Sequence, residues 1–588
     1  MINNYKKFTR INTLIFFILI SILIIIFRSF DLQHTKKEKY SNLISQFEIK
    51  EYVIKTSRGS IVDRNNVVLA ESILLDSLIV SNTKDFLEDE EAIKKLCVLL
   101  NKDFHKLLTE VKKRKTKSFT YINRYTEASI ASEIRKLNLK GVEFIKEPKR
   151  YYPEGESMSN LIGLTDFHDN GVMGLEKAYN KILSGTDGRK KIMRDLHGKI
   201  VKEIAILRKP IEGKNLSLTI DTRLQYIAYR ELKKQINHVQ AKSGSIVIMD
   251  TTNGDILASA SYPSYDPNNR RTYSPEKERN RVIIDSIEPA STIKPFVLAA
   301  ALHSKKVNLN DNFDTNPGYK VWGNKTYQDI KNFGELTSEG IIIKSSNIGS
   351  IMILEKINKK IFYDMLEHVG IGEKINLNFP SEVEGYLSHH SEWRKSDIRS
   401  LAQGYNCKVT PLQLAKAYSA IANDGLVVNP KLIKNKKTQI FEDKKYETEF
   451  KQIKNVIKKV VQQGSAKKAA INGYTVGGKT GTAELYVGGS KKNKYSDKDH
   501  IALFAGITPL YDPKLVIVVV IDQPQSKKYF GGYVAAPVFK KVATDSLRIL
   551  KIKPDNTLKY QNKVSQKFRN QNEYTLKNLE VHNVFRTN

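Results

Sequence analysis

The stretch Glu288-Pro289-Ala290-Ser291-Thr292-Ile293-Lys294-Pro295-Phe296 runs straight into Val297-Leu298-Ala299-Ala300-Ala301-Leu302. No other stretch constrains the chain as much. A helix that is apolar on every side has to lie inside a folded core. A serine ahead of such a run reads as an N-cap, so the sequence predicts a buried helix over 292–303 capped by Ser291. Pro295 falls in the first turn, where the backbone amides have no partners to lose. Ser291 and Lys294 are three residues apart, so their side chains adjoin on one helix face. A serine hydroxyl is a weak nucleophile until a base takes its proton. A lysine becomes such a base once burial or a second cation lowers its pKa. The helix N-terminus also favours negative charge developing beside Ser291.

A Ser-x-x-Lys tetrad alone says little, because the chain has four, starting at Ser81, Ser274, Ser291 and Ser465. Only the one at Ser291 opens a long apolar helix; the others read as capping or exposed residues. Two further groups separate it from them: Ser345-Ser346-Asn347, and Lys479-Thr480-Gly481-Thr482. Together the three form a trio characteristic of serine acyl-transfer enzymes that use lysine as a base. One competitor overlaps the third group. Gly473 to Thr480 matches G-x-x-x-x-G-K-[ST], the phosphate-binding loop of nucleoside triphosphatases. That loop needs a buried strand before it and a helix straight after it. Here Lys467-Lys468-Ala469-Ala470 precedes, and Gly481 then Gly488-Gly489 interrupt the stretch after Thr480. The triphosphatase reading fails on this context.

The 588 residues are enough for two or three domains. Lys and Arg number 96 against 63 Asp and Glu, a net charge of +33. The lysines are dispersed and no nucleic-acid-binding motif accompanies them, so nucleic acid is not the expected partner. A bias of the source genome, or a surface facing anionic lipid, explains the charge as well. Cys97 and Cys407 are the only cysteines, and no metal-ligand spacing occurs. Residues 11–27, between Arg10 and Arg28, are nearly all apolar, at the short end for a membrane-spanning helix. No alanine precedes Ala70 and there is no lipobox cysteine, so a retained signal anchor over 11–30 is expected. Charge is similar on both flanks and does not set the orientation.

Arg58 to Asn66 followed by Val67-Val68-Leu69-Ala70 reads as a hairpin, with Asn66 at a left-handed turn position. Strands are predicted at 245–250, 256–260, 501–507 and 515–521, and helices at 292–303, 345–357, 411–423 and about 451–463. Gly477, Gly478 and Gly481 fit a further strand that a substrate backbone approaches closely. Strands at both ends with helices between them imply an α+β domain built on an antiparallel sheet. Residues 551–588 read as a polar, mobile tail.

These motifs, with Arg150-Tyr151-Tyr152-Pro153-Glu154-Gly155 and Gly171-Val172-Met173-Gly174-Leu175-Glu176, resemble those of class B penicillin-binding proteins. The likeness is greatest to the division-specific peptidoglycan D,D-transpeptidases. The resemblance implies a cytoplasmic segment 1–10, the anchor, a mixed pedestal domain 31–213, and a serine-β-lactamase-like transpeptidase domain 214–550. It implies a single-pass inner-membrane protein with a periplasmic catalytic domain. Its expected partners are stem peptides ending in D-Ala-D-Ala, an amine acceptor, β-lactams as covalent inhibitors, a polytopic glycosyltransferase and other division proteins. No cofactor or metal is implied. Carried onto this sequence, Ser291 is the nucleophile and Lys294 its base. Lys479 is a second cation that helps keep Lys294 neutral, and Ser345 relays a proton. Asn347 orients the substrate. Thr480, Gly481 and Thr482 receive it, and the backbone N–H groups of Ser291 and Thr482 form the oxyanion hole. Asn347 favours a division role, since elongation enzymes tend to have aspartate there. Elongation-specific activity and a non-catalytic scaffold remain as alternatives. Where this family often has glycine before the serine the chain has Ala290, and a β-region conformation is expected there. Asn160 stands where the family commonly has histidine. Arg58, Asp63, Arg150 and Glu176 are expected in an ion-pair network.

Overall fold

A single helix accounts for the apolar N-terminus. In the computed structural model, which describes residues 2–38, 47–113, 119–195, 200–434, 436–441, 444–486, 488 and 495–556, helix α1 spans Ile2–Phe30. At about 1.5 Å per residue it is roughly 43 Å long, enough to cross a bilayer. Its apolar side chains from Leu14 to Phe27 are exposed among the described residues, which fits a single-pass membrane anchor. Most of the predicted polar tail, from residue 557 on, lies outside the described residues.

The chain divides into two compact units. The first comprises residues 1–58, 72–149 and 184–213. It carries a three-stranded antiparallel sheet, with Gly188–Asp195 between Phe47–Ile54 and Ile200–Arg208. It also has a small core in which Leu78, Phe86, Ile93, Leu96, Val111 and Ile134 meet.

The second unit comprises residues 59–71, 150–183 and 214–588. Its frame is five strands: β1 (Ser243–Asp250), β2 (Ile256–Tyr262), β3 (Gly477–Tyr486), β4 (Tyr495–Thr508) and β5 (Leu515–Asp522). They form one antiparallel sheet in the order β2-β1-β5-β4-β3, so β3 is an edge strand. Strand β5 reads Leu-Val-Ile-Val-Val-Val-Ile and is buried along this whole run, as befits a central strand covered on both faces. The helices are α2 (Thr222–Val239), α3 (Lys294–His303), α4 (Ser338–Lys344), α5 (Asn347–Glu355), α6 (Pro411–Ala422), α7 (Glu447–Gln463) and α8 (Ala536–Ile549). α2 and α8 pack on each other and on the sheet, as does α6; α3 lies among α5, α7 and α6. α3 is buried over Lys294–Ala301, as its all-round apolar sequence requires.

The four predicted strands are present, and the helix expected over 345–357 is present as α5, Asn347–Glu355. Just before it Ser345 adopts a left-handed conformation (φ 65°) and closes α4. Ser346 caps α5 by accepting from Gly349 N at 2.9 Å. The hairpin at 58–70 forms with Asn66 left-handed (φ 64°). The Asp63 carboxylate, fully buried, accepts from Asn65 N (2.6 Å), Val67 N (2.9 Å) and Thr222 Oγ1 (3.0 Å). Asn160 donates its amide to the backbone oxygens of Lys277 and Arg279.

Arg150 Nε meets Glu176 Oε1 at 2.7 Å, with both side chains out of solvent. Breaking such a pair strands a buried charge, at about 3–5 kcal/mol. Glu176→Ala should therefore lower the melting temperature of the full-length protein markedly. The double substitution Arg150→Met/Glu176→Leu should recover much of the loss. Unchanged melting of Glu176→Ala would show that the pair carries no such burden.

Candidate active site

Ser291 does not cap α3. It sits within a single 3-10 turn, Ala290–Ile293, that leads into the helix at Lys294, and Pro295 lies in the first helical turn as expected. The cause is one residue upstream. Ala290 is left-handed (φ 47°), not in the β region, and it is buried. For a non-glycine residue this costs roughly 1–2 kcal/mol. Its N–H donates to Gly404 O at 3.1 Å, and a Cβ on Gly404 would come within 2.0 Å of Ala290 O. The 404 loop therefore holds the turn in this conformation, and a local reading of the serine could not foresee it. Behind the turn, Tyr418 of α6 donates its hydroxyl to Thr292 O at 2.9 Å.

The three sequence groups meet around two lysines. Lys294 Nζ, fully buried, donates to Ser345 O (2.8 Å), Ser346 O (3.1 Å) and Asn347 Oδ1 (2.7 Å). Lys479 Nζ, also fully buried, donates to Ser345 Oγ at 2.7 Å and to Thr480 O at 3.0 Å. Ser345 thus bridges the two, with its carbonyl on one amine and its hydroxyl on the other. The left-handed bend at Ser345 turns both groups the same way. Burial brings Lys294 down to about 7, against the opposing pull of the Asp329 carboxylate. Lys479 is also held well below the ordinary lysine range, by burial first and then by the charge of Lys294. Burial thus depresses both amines. Two ammonium groups this close and this dry oppose each other's protonation.

As an edge strand, β3 leaves one side of its backbone free of sheet pairing. The Ser291 turn packs against this strand: a Cβ on Gly481 would lie 3.0 Å from Pro289 O and Thr292 Cγ2, a tight contact that glycine relieves. Thr480 Oγ1 meets Ser465 Oγ at 2.9 Å, and Thr482 Oγ1 accepts from Gly531 N at 3.2 Å. The strand places Lys479 in its interior with no helix directly after it, so the phosphate-loop reading of Gly473–Thr480 has no structural support.

Two residues of this region carry no motif signal. Ser465, which opens another of the four tetrads, abuts Thr480. Asp329 accepts from Ser346 Oγ (2.6 Å), Ile348 N (3.2 Å) and Asn347 N, so it caps α5 where Asn347 emerges. Asp329 lies in the loop after the short strand Lys325–Gln328, and nothing in its neighbours marks it. The two remaining tetrads do local work: Ser274 precedes the helical turn Pro275–Glu278, and Ser81 Oγ donates to Gly141 O at 3.4 Å.

Comparison with known proteins gives the chain a family. The penicillin binding protein transpeptidase domain matches residues 244–544, and the penicillin-binding protein dimerisation domain matches residues 53–218. The chain is 37% identical over 509 residues to the probable peptidoglycan D,D-transpeptidase PbpC of Pseudomonas aeruginosa, covering 86% of this chain and 89% of that protein. It is 34% identical over 510 residues to the peptidoglycan D,D-transpeptidase FtsI of Escherichia coli, covering 85% of each. In fold it is similar to a peptidoglycan synthetase from Bifidobacterium adolescentis, with a TM-score of 0.65, 22% identity, and coverage of 86% of this chain and 98% of that one. A buried serine–lysine centre beside an edge strand, in a chain that also carries a dimerisation domain and one apolar helix, thus has a family: the chain belongs to the penicillin-binding-protein peptidoglycan D,D-transpeptidases, serine acyltransferases of the FtsI and PenA type.

Proposed function

We propose that this protein cross-links peptidoglycan stem peptides during septal wall synthesis, through an acyl-enzyme on Ser291, and that β-lactams acylate the same serine. The observation that carries the reading is the convergence of Lys294, Ser345, Asn347 and Lys479 on one buried hydrogen-bonded centre beside the Ser291 turn. Lys294, depressed to about 7, is neutral in a large fraction of molecules at neutral pH and takes the proton of Ser291 Oγ. The alkoxide attacks the penultimate D-Ala carbonyl. The oxyanion that forms is met by the backbone N–H groups of Ser291 and Thr482. The intermediate collapses with cleavage of the peptide C–N bond. The leaving D-Ala nitrogen receives a proton relayed through Ser345, which links the two lysines. An acceptor amine then attacks the ester carbonyl, loses its proton to the same centre, and releases Ser291 with a new amide bond. Asn347 orients the donor peptide. Thr480 and Thr482 hold its terminal carboxylate, and Gly481 lets the backbone of the donor lie against β3. The division role rests on Asn347 and on relatives of the FtsI type. Helix α1 anchors the chain, with the catalytic unit in the periplasm beside a polytopic glycosyltransferase and other division proteins.

Tandem mass spectrometry of penicillin-treated protein should place the adduct on Ser291; an adduct at Ser81, Ser274 or Ser465 would refute the assignment. The acylation rate should climb as pH rises through about 7, because only the neutral form of Lys294 accepts a proton. Lys294→Arg, a side chain that stays protonated, should abolish acylation at every pH while leaving the protein folded by thermal melting. A flat pH profile, or near wild-type acylation by Lys294→Arg, would remove Lys294 as the base.

A further inference from the structure

The segment just before the active-site strand is held from the C-terminal end of the described chain. Thr475 lies two residues ahead of β3 and four ahead of Lys479, and is buried. All of its polar groups are engaged. Its N–H donates to Asp555 Oδ1 at 2.7 Å, and its hydroxyl donates to Asp555 Oδ2. The same hydroxyl accepts from Leu510 N at 2.9 Å, and Thr475 O accepts from Thr508 Oγ1 at 3.1 Å. Two more bonds reinforce the clamp: Tyr474 OH to Ile552 O at 2.7 Å, and Asn556 N to Gly473 O at 3.1 Å. Asp555 thus ties residues 473–475 to the segment after α8, and Thr475 ties them to the end of β4. Between this anchor and Lys479 stand only Val476 and the pair Gly477-Gly478, and the two glycines bear no side chains to fix the strand themselves.

We infer that Asp555 is a positioning residue for Lys479, acting through Thr475. It fixes the start of β3 so that Lys479 Nζ reaches Ser345 Oγ. The inference rests on the proposed acyl-transfer function. A displacement of about 1 Å in a catalytic group costs up to roughly a hundredfold in rate.

The test uses the full-length protein in detergent and a fluorescent penicillin, resolving the pre-covalent dissociation constant from the acylation rate constant. Asp555→Ala and the isosteric Thr475→Val should each slow the acylation step on the order of tenfold or more. The dissociation constant should change little, and the melting temperature should stay above that of the assay. Thr475→Ser keeps both bonds to Asp555 and should restore the rate. The losses in the double variant Asp555→Ala/Thr475→Val should fall short of the product of the two single losses, because both remove the hydroxyl–carboxylate bond between Thr475 and Asp555. Acylation by Asp555→Ala and Thr475→Val within twofold of wild type would overturn the inference. So would a loss confined to the dissociation constant, or a failure of Thr475→Ser to recover the rate. Wild-type protein that takes up no penicillin would instead overturn the functional reading beneath it.

Discussion

Two lysine amines buried side by side are the constraint on which the rest of the catalytic unit depends. An ammonium group out of water is costly unless hydrogen-bonded or neutralised. The structure does both. Lys294 has three oxygen acceptors and Lys479 two, and four of these five come from the short segment Ser345–Asn347. Burial lowers the pKa of both amines, and the charge of Lys294 lowers that of Lys479 further. A surface lysine, with an ordinary pKa near 10.4, would remain charged and could not act as a base at neutral pH.

This arrangement requires distortions that the fold supports from a distance. Ser345 is left-handed where it presents its carbonyl to one amine and its hydroxyl to the other. Left-handed Ala290 begins the turn that carries Ser291. Strained backbone of this kind persists where its surroundings over-determine it. Gly404 packs on Ala290, and Asp329 caps the helix just after Ser345.

Much of the centre was legible in the sequence. Ser291, Lys294, Ser345, Asn347 and Lys479 announce themselves because the chemistry needs particular residue types at short fixed spacings. The strands β1 and β5 were legible because buried β-branched runs have few other uses, and β2 and β4 as short apolar runs. What escaped is set by long-range packing. α4 and the left-handed bend at Ser345 that closes it leave no mark in the apolar pattern. The turn at Ser291 overrides the strong local preference of serine for a cap. α2 is a different case: Leu224, Ile227, Ala228, Leu232 and Ile236, all buried, repeat with a helical period, and that signal could have found it. Asp329 and Ser465 carry no signal, since a lone acid or hydroxyl in a loop resembles any other.

The edge position of β3 explains why so much of the chain converges on one strand. A strand inside a sheet spends its amides and carbonyls on two neighbours, whereas an edge strand keeps one side free for an extended peptide. An edge is also the least constrained place in a sheet, because half of its pairing is absent. β3 is therefore secured by other means: β4 along its paired side, the Pro289–Thr292 turn against Gly481, and the bonds to Thr475 at its start. A fully paired strand would be rigid but closed to substrate. An unsecured edge would admit substrate but let Lys479 drift from Ser345. For the proposed chemistry the contacts around β3 resolve this conflict, leaving one side of the strand free of sheet pairing while its start is held through Thr475.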